Sequence, residues 1–221
     1  MNAARARLLA GRHPQSAEVL LFVAAAYELI GEARPDFAGA QVLAERLVQS
    51  LASIAPEPLR GAVPDVAAYF QAPDPYAPSS VYARLALEPW ARHAPLQMLD
   101  PRPNECPRCG HAPQLGVLRP AGNGDALFLA CSLCRAEWAF RRGTCPECLA
   151  TDPDAIQFHS AEGWPHVRTQ TCDACRACLH LLLPEAEPAI IPHIDELALL
   201  PLGVWAMERG YRKVWPNLAG L

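Results

Sequence analysis

Eight of the nine cysteines in this 221-residue chain form four C-x2-C pairs, and successive pairs are separated by 21, 10 and 23 residues. The pairs are Cys106 and Cys109, Cys131 and Cys134, Cys145 and Cys148, and Cys172 and Cys175. A tetrahedral metal site needs four thiolates at about 2.3 Å from one ion, and a C-x2-C turn supplies two of them. The sequence therefore predicts two four-cysteine metal sites.

The spacing also indicates which pairs share an ion. The gaps of 21 and 23 residues each contain strand-turn-strand sequence, so each gap can fold back and bring its own two pairs together. We therefore expect the first two pairs to hold one ion and the last two pairs to hold a second. A cross-braced arrangement is compatible with the same spacing.

Three kinds of chemistry compete for these cysteines. Structural zinc would hold a small domain together, since it can supply on the order of 10 kcal/mol of folding free energy. Iron is an alternative, because "CPRCG" and "CPEC" resemble the C-P-x-C-G knuckle of rubredoxins and four thiolates accept either metal. A thioredoxin-like dithiol needs a βαβ unit, which surrounds none of the pairs. The sequence thus predicts two metal ions per chain, Fe or Zn.

The expected compartment favours metal binding over disulfides. The sequence contains no stretch of 18 consecutive apolar residues, which a membrane-spanning helix would need. The first residues, "MNAARARLLAGRHPQ", lack the apolar core of a secretory signal. We therefore expect a cytoplasmic protein with no membrane insertion. Thiols stay reduced in the cytosol, which argues against a disulfide framework.

The elements that must position these cysteines begin with helices. Ser16 can cap a helix through "AEVLLFVAAAYELIGEA", Asp36 can cap a second, and Ser80 can start a third. The second helix has an apolar stripe at steps of three and four residues. This stripe comprises Val42, Leu43, Leu47, Leu51 and Ile54.

The rest of the chain divides into a strand-rich part and a tail. Short runs such as "QLGVL", "ALFLAC", "EWAFR", "HVRTQTC" and "LHLLL" predict small hairpins between Cys106 and Pro184. The tail has helical spacing, and Pro201 should kink that helix or start a second one. The spaced residues are Leu197, Leu200, Val204 and Met207.

These patterns predict an α+β protein. An α-helical N-terminal domain precedes two small rubredoxin-like or zinc-ribbon β modules and a C-terminal helix. The expected segments are residues 1–100 for the helical domain, 101–142 and 143–185 for the first and second four-cysteine modules, and 186–221 for the C-terminal helical segment.

Charge argues against nucleic acid as a partner. Residues 101–185 contain eight Arg, no Lys and nine Asp or Glu, which gives a net charge of −1. Two tetrathiolate centres with divalent ions would each add about −2, so the loaded segment would carry about −5. Phosphate contacts need clustered basic residues, and Arg141-Arg142 is the only basic doublet in this segment.

The remaining candidate residues favour packing over chemistry. No Ser-His-Asp pattern, carboxylate pair, P-loop or G-x-G-x-x-G is present, so we do not expect an enzyme. Cys178 is most simply a buried small hydrophobe at a strand start, and the alternatives are a substitute metal ligand or a reactive thiol. His111 and His180 lie near cysteine pairs, but with eight thiolates present we expect neither to bind metal. Trp138 and Trp164 are expected to pack in the modules.

The order "CPRCG…CSLCRAEW…RGTCPEC…TCDAC…LHLLL", followed by "DELALLPLGVWAMERGYRKVWPNL", resembles the formate dehydrogenase accessory protein family, FdhE. The resemblance covers about residues 104–218, while the N-terminal helices match only loosely. In the closing segment it rests on Glu208, Gly210, Tyr211 and Asn217.

The resemblance implies a helical part joined to two rubredoxin-like modules. It also implies a cytoplasmic assembly factor, not a catalyst, which binds and helps mature the catalytic subunit of a respiratory formate dehydrogenase. The alternatives are a zinc-ribbon adaptor or regulator that binds nucleic acid or another protein, and a rubredoxin-like electron-transfer protein.

The sequence departs from the family pattern in three places. The helical part is shorter than is usual, so the surface that binds the partner would differ. Arg176 stands where the fourth pair is commonly followed by Gly, which predicts a less regular turn there. Cys178 is an additional thiol beside that turn. We therefore expect the second site to be the looser one.

Overall fold

The computed structural model describes residues 1–122, 124–187 and 189–220. Its N-terminal part is helical, as the sequence predicts, and α1 and α4 add to the three predicted helices. The helices are α1 (Asn2–Arg12), α2 (Ala17–Ile30), α3 (Phe37–Leu51), α4 (Val66–Gln71) and α5 (Ser80–Ala91). Among the described helices, none is long and apolar enough to cross a membrane.

Two of the predicted helix starts differ in how the capping side chain is used. Asp36 caps α3 as expected, since its carboxylate accepts a hydrogen bond from the Gly39 amide at 2.7 Å. Ser16 does precede α2, but its hydroxyl donates to the carbonyl of Ala198 at 3.1 Å and makes no cap bond. The start of α2 is thereby tied to the C-terminal segment.

The apolar face of α3 is narrower than the sequence predicts. Leu43, Leu47 and Leu51 are buried. Val42 and Ile54, which the sequence places on the same apolar stripe, are instead 67% and 48% exposed. Successive helix residues are rotated by about 100°, which turns Val42 away from the Leu43 side, and Ile54 lies beyond the end of α3.

The cysteine-rich part forms one mixed sheet. Its strands are β1 (Pro113–Ala121), β2 (Gly124–Cys131), β3 (Glu137–Phe140), β4 (Ile156–His159), β5 (Val167–Cys172), β6 (Ala177–Leu182) and β7 (Arg212–Lys213). Across the described residues their order is β3-β2-β1-β6-β5-β4, with β7 paired to β6. The five predicted strands are all present, whereas β4 and β7 were not predicted.

The two halves of this sheet join at a parallel pairing between β1 and β6, in which Gly116 lies opposite Leu181 and Val117 opposite Leu182. Each half is an antiparallel three-stranded unit. Gly116 permits the close approach, because a Cβ there would lie 2.5 Å from Leu181 Cδ2 and 2.9 Å from Leu127 Cδ1. The predicted hairpins therefore form a continuous sheet.

The C-terminal segment is a broken helix. It contains α6 (Pro192–Asp195), a 3₁₀ turn at Glu196–Leu199 and α7 (Leu200–Glu208). Pro201 lies in the first turn of α7, so it starts a second helix, as predicted. Because the segment is divided, its spacing does not form one buried stripe, and Val204 and Met207 are 39% and 49% exposed.

Two apolar cores support the two groups of cysteines. The larger core joins the helices and the C-terminal segment to Cys106, Cys131 and Cys134. A smaller core on the sheet contains Cys145 and Cys172. The first group is thus part of the helical core, whereas the second belongs to the sheet.

Candidate metal centres

The first four cysteines converge as the sequential pairing predicts. The sulfurs of Cys106, Cys109, Cys131 and Cys134 all lie within 4.8 Å of one another. Cys109 Sγ is 3.4 Å from Cys131 Sγ and 3.6 Å from Cys134 Sγ. Four sulfurs placed tetrahedrally at 2.3 Å from an ion would be about 3.8 Å apart. The donor set and its spacing therefore fit a tetrathiolate ion.

The last four cysteines form a second group of the same kind. The sulfurs of Cys145, Cys148, Cys172 and Cys175 lie within 4.8 Å of one another. The Cys145–Cys175 and Cys148–Cys172 sulfur distances are 3.6 and 3.8 Å. All eight predicted cysteines are thus brought together in the two predicted groups, and their binding of two ions stays a prediction.

The turn after each pair has the same backbone conformation. The residue after the second cysteine has a φ of 76° at Gly110, 60° at Arg135, 61° at Leu149 and 58° at Arg176. This left-handed conformation closes the turn, and three of the four turns adopt it without glycine. The expectation of an irregular turn at Arg176 is therefore wrong. The turn is as regular as the other three, and Arg176 adopts the left-handed backbone conformation although it is not glycine.

Backbone amides also point at the sulfurs. The amides of Leu133 and Cys134 donate to Cys131 Sγ at 3.3 and 3.4 Å, and the Glu147 amide donates to Cys145 Sγ at 3.4 Å. Such hydrogen bonds stabilise the charged form of a sulfur. They are therefore suited to thiolates that bind a cation.

The two groups differ in burial. In the first group Cys106, Cys131 and Cys134 are buried, whereas Cys148 in the second group is exposed. Burial raises the pKa of the Cys131 thiol well above its usual range, and it raises the pKa of Cys175 to about 11. Because metal ligands must be thiolates, binding an ion at either group would release protons.

A buried polar chain connects the first group's surroundings to the helices and the tail. Arg84 on α5 donates to Gln114 Oε1 at 2.7 Å, and Gln114 Nε2 donates to Glu196 Oε2 at 3.1 Å. Glu196 is also paired with Lys213. All four residues are buried, so the chain spans α5, β1, the 3₁₀ turn and β7 away from water.

Arg135 extends this chain to a second buried acid. It donates to Gln114 Oε1 at 3.0 Å and pairs with Glu88 at 3.0 Å, while Tyr27 donates to Glu88 at 2.7 Å. Burial raises the pKa of Glu88, but the charges of Arg135 and His193 and the hydrogen bonds from Tyr27 and Arg135 together outweigh it and lower that pKa to about 2. Sequence reasoning missed this network. The one available signal was an acidic residue within the apolar "LALEPW".

The remaining predicted residues lie outside the two groups. Cys178 is 2% exposed in β6, as expected of a packing residue, and burial raises its pKa. His180 lies 3.0 Å from the Thr169 hydroxyl, while His111 Nδ1 lies 3.2 Å from the Cys109 carbonyl. Trp138 donates to the Pro103 carbonyl at 3.0 Å, and Trp164 stacks on His13.

A known family model matches the part of the chain that contains the first four-cysteine group. Residues 105–142 match the FdhE central domain. A protein FdhE homolog of Stutzerimonas stutzeri is 34% identical over 140 residues, which cover 61% of this chain and 45% of that protein. One from Aquifex aeolicus is 27% identical over 53% of this chain and 42% of its own length. The chain thus spans less than half the length of these relatives.

A solved structure shows the fold. The crystal structure of the FdhE protein from Pseudomonas aeruginosa matches 98% of this chain and 93% of its own, with a TM-score of 0.76 and 21% sequence identity. The agreement extends over the helical part, where the sequence resemblance is loose. Together with the match at residues 105–142, the relatives and this fold confirm the chain's resemblance to the FdhE family.

Proposed function

We propose that this chain is a cytoplasmic accessory protein that binds and helps mature the catalytic subunit of a respiratory formate dehydrogenase. The observation that carries the proposal is the match of residues 105–142 to the FdhE central domain. Those residues contain the whole first cysteine group. The proposed role is assembly of another enzyme and not catalysis.

The eight cysteines of the two groups would hold two ions, Fe or Zn. The first ion would stabilise the helical part and any surface on it that binds the partner, since three of the ion's ligands belong to the helical core. Because four cysteines converge only in the folded chain, the free energy of binding the ion adds to the free energy of folding. Loss of that ion should therefore disturb the helices and the sheet together.

Charge supports a protein partner over nucleic acid. Four of the eight arginines in residues 101–185 are already engaged with carboxylates inside the chain: Arg102, Arg119, Arg135 and Arg176. Two tetrathiolate centres would add further negative charge. The segment is therefore poorly suited to neutralise phosphates.

A pull-down from a host that expresses a formate dehydrogenase tests the proposal. Wild type and Cys178→Ala should capture the catalytic subunit, whereas Cys131→Ala/Cys134→Ala should not. Cys178 is the matched control because it is a buried cysteine outside both groups. Formate-dependent dye reduction in a strain without the accessory protein should follow capture.

Other outcomes would contradict the proposal. Wild type that captures no dehydrogenase subunit but retains nucleic acid in a salt-sensitive way would favour an adaptor. If the double variant captures as much catalytic subunit as wild type does, partner binding does not require the first metal site.

Electron transfer is a second candidate, favoured by the exposure of Cys148 in the second group. A redox centre at the surface can exchange electrons with a partner, and ferric tetrathiolate centres absorb visible light, whereas zinc centres do not. Metal analysis and a visible spectrum of protein purified without oxygen would decide. A colourless protein with two zinc ions would rule this role out.

A further inference from the structure

Asn104 lies two residues before the first cysteine group and contacts the second one. Its side-chain amide donates to the Pro146 carbonyl at 2.9 Å and to the Glu147 carbonyl at 3.3 Å. Both carbonyl oxygens can only accept, so the amide nitrogen of Asn104 faces them. Pro146 and Glu147 are the two residues between Cys145 and Cys148. The segment that leads into the first group therefore holds a ligand turn of the second.

This contact reaches a cysteine sulfur through one peptide group. The Pro146 carbonyl and the Glu147 amide belong to the same peptide unit, and the Glu147 amide donates to Cys145 Sγ at 3.4 Å. A hydrogen bond to the carbonyl polarises the N–H of the same peptide, which strengthens its bond to the sulfur. Outer partners of this kind orient metal ligands and raise the affinity for the ion. Asn104 is thus placed to support Cys145 as a ligand.

The position of Asn104 depends on both halves of the first group. The chain runs from Asn104 directly to the ligand Cys106. On its other side, the Trp138 indole nitrogen donates to the Pro103 carbonyl at 3.0 Å, and Trp138 lies four residues after Cys134. An ion bound to the first group would join Cys106 to Cys134, so it would hold both anchors of Asn104 in place.

Trp138 also links the two groups through packing. Its partly buried side chain packs against the core that contains Cys106 and against the core that contains Cys145. Close-packed interiors transmit strain, so a shift in one of these cores is felt in the other. Hydrogen bonds and packing therefore both lead from the first group to the second.

We propose that Asn104 is a positioning residue for the second metal site and couples it to the first, so that an ion in the first group strengthens the binding of an ion in the second. This inference rests on the proposed binding of two ions and not on the identity of the partner protein. Each group keeps its own four ligands. The sites are therefore separate in their ligands and coupled in their affinity, and the second site still fills at excess metal when the first is empty.

The test is chelator competition on the cadmium-loaded full chain, since thiolates also bind this soft ion. Cadmium-113 NMR distinguishes the two sites, and Cys148→Ser assigns the resonance of the second. With the first site filled, Asn104→Ala should lower the cadmium affinity of the second site about 10- to 100-fold. Asn104→Asp should do the same, because a carboxylate keeps the shape of the side chain but has no proton to donate. Both resonances at excess cadmium show that a variant is folded.

Two comparisons separate coupling from general support of the fold. Gln157→Ala is the matched control, because Gln157 also donates from a side-chain amide to a backbone carbonyl, that of Asp154 at 3.1 Å, outside the four cysteine turns. Its second-site affinity should stay within about twofold of wild type. In Cys131→Ala/Cys134→Ala, which lacks the first ion, that affinity should already be low, and adding Asn104→Ala should change it by less than about twofold.

Three results would overturn the proposal. Unchanged second-site affinity in Asn104→Ala would mean that Asn104 does not position this site, and this result stands even if Cys131→Ala/Cys134→Ala fails to fold. An equal loss with the first site filled and empty would show local support without coupling. A wild-type chain that binds no cadmium would contradict the proposed metal binding as well. Failure to capture a dehydrogenase subunit with the coupling intact would contradict the proposed function alone.

Discussion

Leu149 and Arg176 both hold left-handed backbone, at φ of 61° and 58°, but their side chains differ in what they contact. Leu149 is 37% exposed. Arg176 pairs with Asp173 at 2.7 Å and lies 3.9 Å over the Tyr211 ring. A left-handed non-glycine residue costs about 1–2 kcal/mol, and these contacts offset that cost at Arg176.

Leu149→Gly should therefore stabilise the protein by about 0.5–1 kcal/mol, after the larger unfolded-state entropy of glycine is subtracted. Arg176→Gly should give no net gain, because it also removes the contacts to Asp173 and Tyr211. Denaturant unfolding of the metal-loaded variants measures both changes. A destabilised Leu149→Gly would show that the side chain, and not the backbone, determines stability at this turn.

His193, a half-buried histidine on α6, should make stability depend on pH. Desolvation, the largest cause, and the charges of Arg135 and Arg92 together lower the pKa of His193 to about 3, although the charge of Glu88 acts in the opposite direction. The unfolded chain has a histidine pKa of about 6.5, so below that pH it binds a proton that the folded protein does not. Stability from this group is present above pH 6.5 and decreases as the pH falls toward 3.

His193→Asn should therefore reduce the loss of stability between pH 7.5 and 5.5 by about 1 kcal/mol. Denaturant midpoints of wild type and variant at these two pH values measure the difference. Glu88 does not interfere in this window, because its pKa of about 2 places its effect below about pH 4.5. Identical pH dependence in both proteins would show that His193 titrates normally.

At the scale of elements, local patterns were predictable and their pairing was not. The C-x2-C spacing gave both cysteine groups, and alternating apolar runs gave five strands. The first helix could have been found from the helix-favouring "NAARARLLAGR". The short β4 contains two exposed residues and has a weak signal. The parallel contact of β1 with β6 joins residues far apart in sequence, and no local pattern encodes it.

Gly116 is the element-scale test of that contact. Gly116→Ala places a methyl group against Leu181 and Leu127, so it should cost about 1–3 kcal/mol. Gly124→Ala in β2 is the matched control, since a Cβ there meets nothing within 4 Å, and its effect should be within about 0.5 kcal/mol. Equal unfolding midpoints for the two variants would mean that β1 and β6 do not pack this closely.

At the scale of the whole molecule, the two cysteine groups support different parts of the fold. The first group shares the core of the helices and of the C-terminal residues Ile194 and Leu218, whereas the second lies in the sheet core. Sequence spacing predicted the groups but could not place them, because burial depends on contacts between distant segments. The division into residues 1–100, 101–142, 143–185 and 186–221 stays a prediction.

This difference predicts unequal consequences of losing one ligand. Cys106→Ser and Cys148→Ser should each lower the metal content by about one ion per chain, because the groups are sequential. Cys106→Ser should also lower the helical melting temperature by on the order of 10 °C, since the lost ion contributed folding free energy within the helical core. Cys148 is exposed and outside that core, so its replacement should change helical melting much less. Metal analysis and circular dichroism at 222 nm measure both effects, and loss of both ions in either variant would contradict independent sites.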